Sequence, residues 1–136
     1  MSSAPAPDTP LGMEVARLLE RFPRTVLTDT TLPDGTMVTV VSIPSFPVPA
    51  GWTASSTALH FTIPAGYPFA RPDCFNVDKE LRLAGCTMPQ NAALQALPGI
   101  GDTLWFSWHM GRDWRAGADD LLTWVALCAS RFGQLQ

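Results

Sequence analysis

The chain has 136 residues, a net charge of -3 and 46% hydrophobic residues, which suits one domain able to bury a core of its own. The Lys and Arg residues are scattered, so there is no basic stripe for nucleic acid, and no apolar run approaches the length of a membrane span. Three cysteines, an odd number with no C-x-x-C pair, argue against a disulfide framework and against a cysteine-based zinc site; no metal and no organic cofactor is implied.

Residues 1–10, MSSAPAPDTP, have neither a basic start nor an apolar segment. They read as a disordered lead-in rather than a secretory signal, with residues 11–136 as the domain and a reducing cytoplasm as the compartment. Thr9 and Pro10 suit a helix N-cap and first helical position, and Val15, Leu18, Leu19 and Phe22 then recur at helical spacing until Pro23. Residues 25–43 turn to a strand pattern, with Asp34-Gly35 between two β-branched runs as a hairpin signal. Pro44, Pro47 and Pro49 make residues 43–52 an irregular connection. Residues 58–63 alternate as a third strand, which puts His60 on the sheet's second face as a structural residue. Residues 74–77 suggest a fourth strand, with Cys74 a small core or half-buried residue.

Residues 78–102 read as a long loop, rich in Gly and Pro and holding Cys86, with room for a short helical turn at residues 91–97. Residues 118–132 form a last helix, with Leu121, Trp124, Val125, Cys128 and Phe132 on one face, Asp119 and Asp120 in its first turn and Gly133 as its cap. The order is helix, four-stranded antiparallel meander, long loop, helix: an α+β arrangement. Chemistry concentrates in residues 104–124, which hold Trp105, Trp108, Trp114 and Trp124, with Ser107, His109 and Asp113 among them.

The stretch Ile63-Pro64-Ala65-Gly66-Tyr67-Pro68-Phe69-Ala70-Arg71-Pro72, followed by Asp73-Cys74-Phe75-Asn76-Val77, resembles the ubiquitin-conjugating enzyme superfamily. Trp114 followed by Asp119-Asp120-Leu121-Leu122 looks like that superfamily's Trp and following helix, and the closest look is to divergent bacterial members. The resemblance covers roughly residues 11–134 and implies a ubiquitin-conjugating-enzyme-like fold whose long loop belongs to the active site. It implies a carrier that accepts an activated ubiquitin-like protein from an activating enzyme and passes it to a target amine. A deconjugating peptidase would be a further partner.

The chain departs from the superfamily twice: its His-Pro-Asn stretch is missing, and no cysteine stands where the nucleophile is expected. Counting back from Trp114 leads to Ser107 as the residue to hold the modifier as an oxyester. His109, two residues on, is its candidate base, and Asp113 or an acid at the helix start is the candidate orienter of the imidazole. The alternative nucleophile is Cys86, a better one chemically but 28 residues before Trp114. Oxyanion donors are sought in the backbone of residues 108–111 or in Asn76 or Asn91. Trp105, Trp108 and Trp114 are candidates for packing the nucleophile loop or anchoring a partner. The rival reading is a non-catalytic module of the same fold that binds a ubiquitin-like protein. A serine hydrolase is disfavoured because no G-x-S-x-G elbow is present.

Overall fold

In a computed structural model that describes residues 5, 6 and 8–136, the first helix, α1 (Pro10–Arg21), begins where the sequence places it. The Thr9 side chain accepts from the Gly12 N–H, and the helix buries Val15 and Leu18. The lead-in expected over residues 1–10 lies partly outside the described residues.

The strands are β1 (Val26–Thr31), β2 (Met37–Pro47), β3 (Ser56–Ile63), β4 (Phe75–Asp78), β5 (Ala92–Leu97) and β6 (Gly101–Phe106). They form one antiparallel sheet in the order β1-β2-β3-β4-β6-β5. The α+β class holds, but the expected four-stranded meander is a six-stranded sheet. The segment read as a long loop supplies β5 and the start of β6, and the stretch given to a helical turn is β5 itself. Its six residues are Ala92, Ala93, Leu94, Gln95, Ala96 and Leu97, of which only Leu97 is buried. A short edge strand of that kind has little β propensity and no alternation, so its pairing with β6 decides its conformation.

The proline-rich stretch 43–52 is irregular only in its second half. Strand β2 continues into it as far as Pro47, with a bulge between Ile43 and Phe46 where Ser45 takes a φ of 57°. Bulges are where a ladder accepts proline.

The second helix is α2 (Leu121–Phe132). Both helices pack on one face of the sheet, over Val41, Ile43, Leu59, Phe61, Phe75, Val77, Leu104 and Phe106. Phe75 and Phe106, opposite one another across β4 and β6, stack with centroids 5.0 Å apart. Val38, Val40 and Leu97 are buried outside this cluster. The β5–β6 hairpin bends across the sheet's second face until its turn meets β1 at the far edge: a Cβ on Gly99 would lie 3.2 Å from Thr30 and 3.4 Å from Thr28.

Candidate active site

The site begins with the Tyr-Pro turn. The Trp114 indole N–H donates to the Pro68 carbonyl at 2.7 Å, and the Tyr67 and Trp114 rings lie 5.9 Å apart. The Tyr67 hydroxyl donates to Glu14 Oε1 at 2.5 Å, and the same oxygen accepts the Leu121 N–H at 3.0 Å. Burial, and then the bond to Glu14, push the Tyr67 hydroxyl well above its ordinary range. One carboxylate of α1 thus ties the turn after β3 to the start of α2. The two stretches that carry the family resemblance are a single piece of structure.

The approach to α2 is held by Asp119. It accepts from both Arg112 guanidinium nitrogens, at 2.6 and 2.8 Å, and from the Arg115 N–H at 2.8 Å. The Arg112 pair draws its carboxyl down to about 2. Asp120 is the N-cap, bonding the Thr123 N–H. Because α2 starts at Leu121 and not at residue 118, neither acid lies in its first turn as expected; each stands ahead of the helix and has a named structural partner instead.

Between these anchors, β4 and β6 place residues 73–74 beside residues 107–109. The Cys74 N–H donates to the Trp108 carbonyl at 3.0 Å, and the Ser107 N–H donates to the Asn91 carbonyl at 2.8 Å. His109 Nδ1 lies 2.5 Å from Asp73 Oδ1, and His109 Nε2 lies 3.4 Å from Ser107 Oγ. With Nδ1–H donating to the carboxylate, Nε2 turns its lone pair toward the hydroxyl. Asp73 and His109 are half-exposed, so the group opens to solvent.

Ser107 and His109 are thus brought together as their spacing suggests. The acid on the imidazole is Asp73, which the sequence reading passed over. The Asp113 carbonyl accepts from Arg112, and no hydrogen bond joins its carboxylate to His109 among the described residues. Cys74 is half-buried as expected, but its place beside this group is not foreseen from the sequence. Burial, joined by the charge of Asp73, pushes its thiol up, while the Trp108 backbone and the Trp105 and Ser107 side chains act the other way. It sits at a φ of 61°, a left-handed conformation that costs a side-chain-bearing residue energy and that gathers at functional sites. Asp73 and Cys74 carried one hint in sequence, their place directly between Pro72 and a strand.

Cys86 lies elsewhere, exposed on a tight turn where its N–H donates to the Leu83 carbonyl. No hydrogen bond links its thiol to a histidine or an acid among the described residues. Of the candidate oxyanion donors, Asn76 is committed: it is buried and its amide donates to Thr103 Oγ1 at 2.9 Å. Asn91 is exposed, at a φ of 57°. His60 shares a 2.7 Å hydrogen bond with Ser42 on the sheet's second face, away from this group. Trp108 is packed against the core with its N–H on the Leu127 carbonyl, and Trp105 is half-buried on β6.

No helix among the described residues is long and apolar enough to cross a membrane. No curated protein and no solved structure gives a significant match. The family described as Prokaryotic E2 family E matches residues 24–134, from the start of the first hairpin to the end of α2. That span takes in the Tyr-Pro turn, Trp114 and the Ser107–His109–Asp73 group, and the chain belongs to this prokaryotic branch of the ubiquitin-conjugating-like proteins.

Proposed function

We propose that the protein carries a ubiquitin-like modifier as an oxyester of Ser107 and hands it to an amine. Membership of the E2 family supplies the carrier role. The observation that favours Ser107 is the imidazole held between a carboxylate at 2.5 Å and the hydroxyl at 3.4 Å. In loading, Ser107 Oγ attacks the activated C-terminal carbonyl of the modifier and His109 Nε2 takes its proton. The bond to the activating enzyme breaks, and the leaving group departs with a proton. Asp73 holds the ring's tautomer and stabilises the imidazolium. In transfer, the target amine attacks the ester carbonyl, the C–Oγ bond breaks, and Ser107 recovers its proton. A 3.4 Å contact is long for proton transfer, and such contacts tighten when substrate closes the site.

Oxyanion donors in this reading are the N–H groups of residues 108–111 and the Asn91 amide. Trp114, tied to the Pro68 carbonyl, and Trp108, tied to the Leu127 carbonyl, serve as struts of the nucleophile loop. Trp105 stands beside Cys74 and completes that frame. The partners are an activating-enzyme-like protein, the ubiquitin-like protein itself and a deconjugating peptidase.

The test is intact mass after mixing with an activating enzyme, the modifier and ATP. An adduct that resists thiol reductant, vanishes in Ser107→Ala and persists in Cys86→Ala is expected. An adduct cleaved by reductant and lost in Cys86→Ala or Cys74→Ala would move the ester to that thiol. Activation of the modifier with no adduct at all would leave a non-catalytic binding module.

A further inference from the structure

The same corner of the molecule gathers more than an acyl-transfer group needs. Cys74 Sγ, an Asp73 carboxylate oxygen and a ring nitrogen of His109 lie within 4.8 Å of one another. These are three different ligand types from two segments of chain. In a regular strand, residues 73 and 74 would point to opposite faces. The left-handed backbone at Cys74 breaks that alternation and lets both side chains meet His109. The Cys74 N–H bond to the Trp108 carbonyl fixes the two segments side by side. The donors were invisible to a reading by cysteine spacing, because they are joined only across the β4–β6 pair.

We propose that Asp73, Cys74 and His109 form a transition-metal site, suited to Zn2+, that overlaps the acyl-transfer group and silences it when filled. Thiolate, imidazole and carboxylate together select zinc or its neighbours over magnesium and calcium, which prefer oxygen alone. Donors around a tetrahedral zinc stand about 3.5 Å apart, so the hydrogen-bonded Asp73–His109 pair, at 2.5 Å, has to open by roughly 1 Å to admit the ion, while the remaining separations, within 4.8 Å, need only a small adjustment. Half-exposed Asp73 and His109 give side-chain freedom for that, and three protein ligands leave a fourth position for water. Coordination releases the Cys74 proton to solvent and involves no change of oxidation state. The metal takes up Asp73 and the imidazole, the two groups through which Ser107 is activated. Binding stands on the geometry alone, whereas the silencing rests on the oxyester reading above.

Binding is tested on the isolated full chain, by calorimetric titration with Zn2+ and by the absorption spectrum with Co2+. One equivalent of zinc, together with a thiolate-to-cobalt charge-transfer band, is expected. Cys74→Ser should abolish the band, and Cys74→Ser, His109→Ala and Asp73→Asn should each weaken zinc at least about 10-fold. Cys86→Ala, remote from the three donors, should bind as wild type. Absence of the band in the wild-type protein overturns the site without recourse to any variant, and so does binding that follows Cys86. Ester formation is then compared with and without Zn2+, and with chelator added back. Zinc binding without loss of loading removes the silencing role alone. Failure of all loading, in the presence of chelator, counts against the oxyester reading and leaves the metal site as measured.

Discussion

In the oxyester reading the two ring nitrogens of His109 have different tasks, Nδ1 facing Asp73 and Nε2 facing Ser107. Removing the ring in His109→Ala should lower the rate of ester formation by roughly 10²-fold or more, the usual range for a lost general base. Asp73→Asn should fall between that variant and wild type, because it disturbs the tautomer and leaves the ring. Single-turnover loading with a fixed amount of activating enzyme measures both. Asp119 is a different kind of acid, buried and structural. Its folded-state pKa, about 2, lies below the ordinary 3.8. The unfolded chain therefore takes up the proton first. Its contribution is fully present above the ordinary value and is lost as pH falls toward about 2. Asp119→Asn should be less stable than wild type at neutral pH and should lose less of its remaining stability on acidification through that window. Denaturant melts at stepped pH measure the difference.

Among the elements, the junction of α1, the Tyr-Pro turn and α2 concentrates most on one side chain. Glu14→Ala removes the acceptor of both the Tyr67 hydroxyl and the Leu121 N–H. A loss of roughly 2–4 kcal/mol is expected in urea unfolding, from two hydrogen bonds to a charged group. Glu14→Gln keeps one oxygen and should cost less than half as much. The β5–β6 turn offers a second test. Gly99 has a φ of 82° and Thr30 within 3.2 Å of where a Cβ would stand, so Gly99→Ala should cost roughly 1–3 kcal/mol. These elements were not equally legible in sequence. The first helix was plain from Thr9, Pro10 and the spacing of its apolar face. The hairpin at Asp34-Gly35 was plain for the same kind of reason, since local chemistry decides a turn. Strand β5 was not, because Ala92, Ala93 and Ala96 carry no strand signal and the pairing partner decides. The passage of β2 through Pro44 was hidden by a bulge that no local pattern announces.

At the scale of the molecule, the sheet order explains both what could be read and what could not. Ser107 and His109 sit two residues apart and were found together. Asp73 stands 36 residues from His109 and joins it only because β6 is inserted between β4 and β5. The Ser107–His109 pair was legible from spacing, whereas the acid beside the imidazole was a fact of topology. The family likeness was legible from the Tyr-Pro turn and Trp114, which proved to be one hydrogen-bonded unit. Together, Ser107→Ala, His109→Ala and Asp73→Asn should each leave the thermal midpoint within a few degrees of wild type while loading collapses, since all three side chains reach solvent. Differential scanning calorimetry checks that separation of stability from activity.

The insertion of β6 has a consequence for how the protein is made. Strand β4 has one partner already in place, β3, and must wait for its other neighbour until residues 101–106 have left the ribosome. Phe75 and Val77 are completely covered only when Phe106 and Leu104 arrive opposite them. The contact that rewards the chain for closing this long loop is the same one that seats Ser107 and His109 beside Asp73. A nascent or half-folded chain therefore lacks the assembled Ser107–His109–Asp73 group. If that group loads a modifier, the order of folding also sets the timing of chemistry, because only a finished molecule holds the three side chains together.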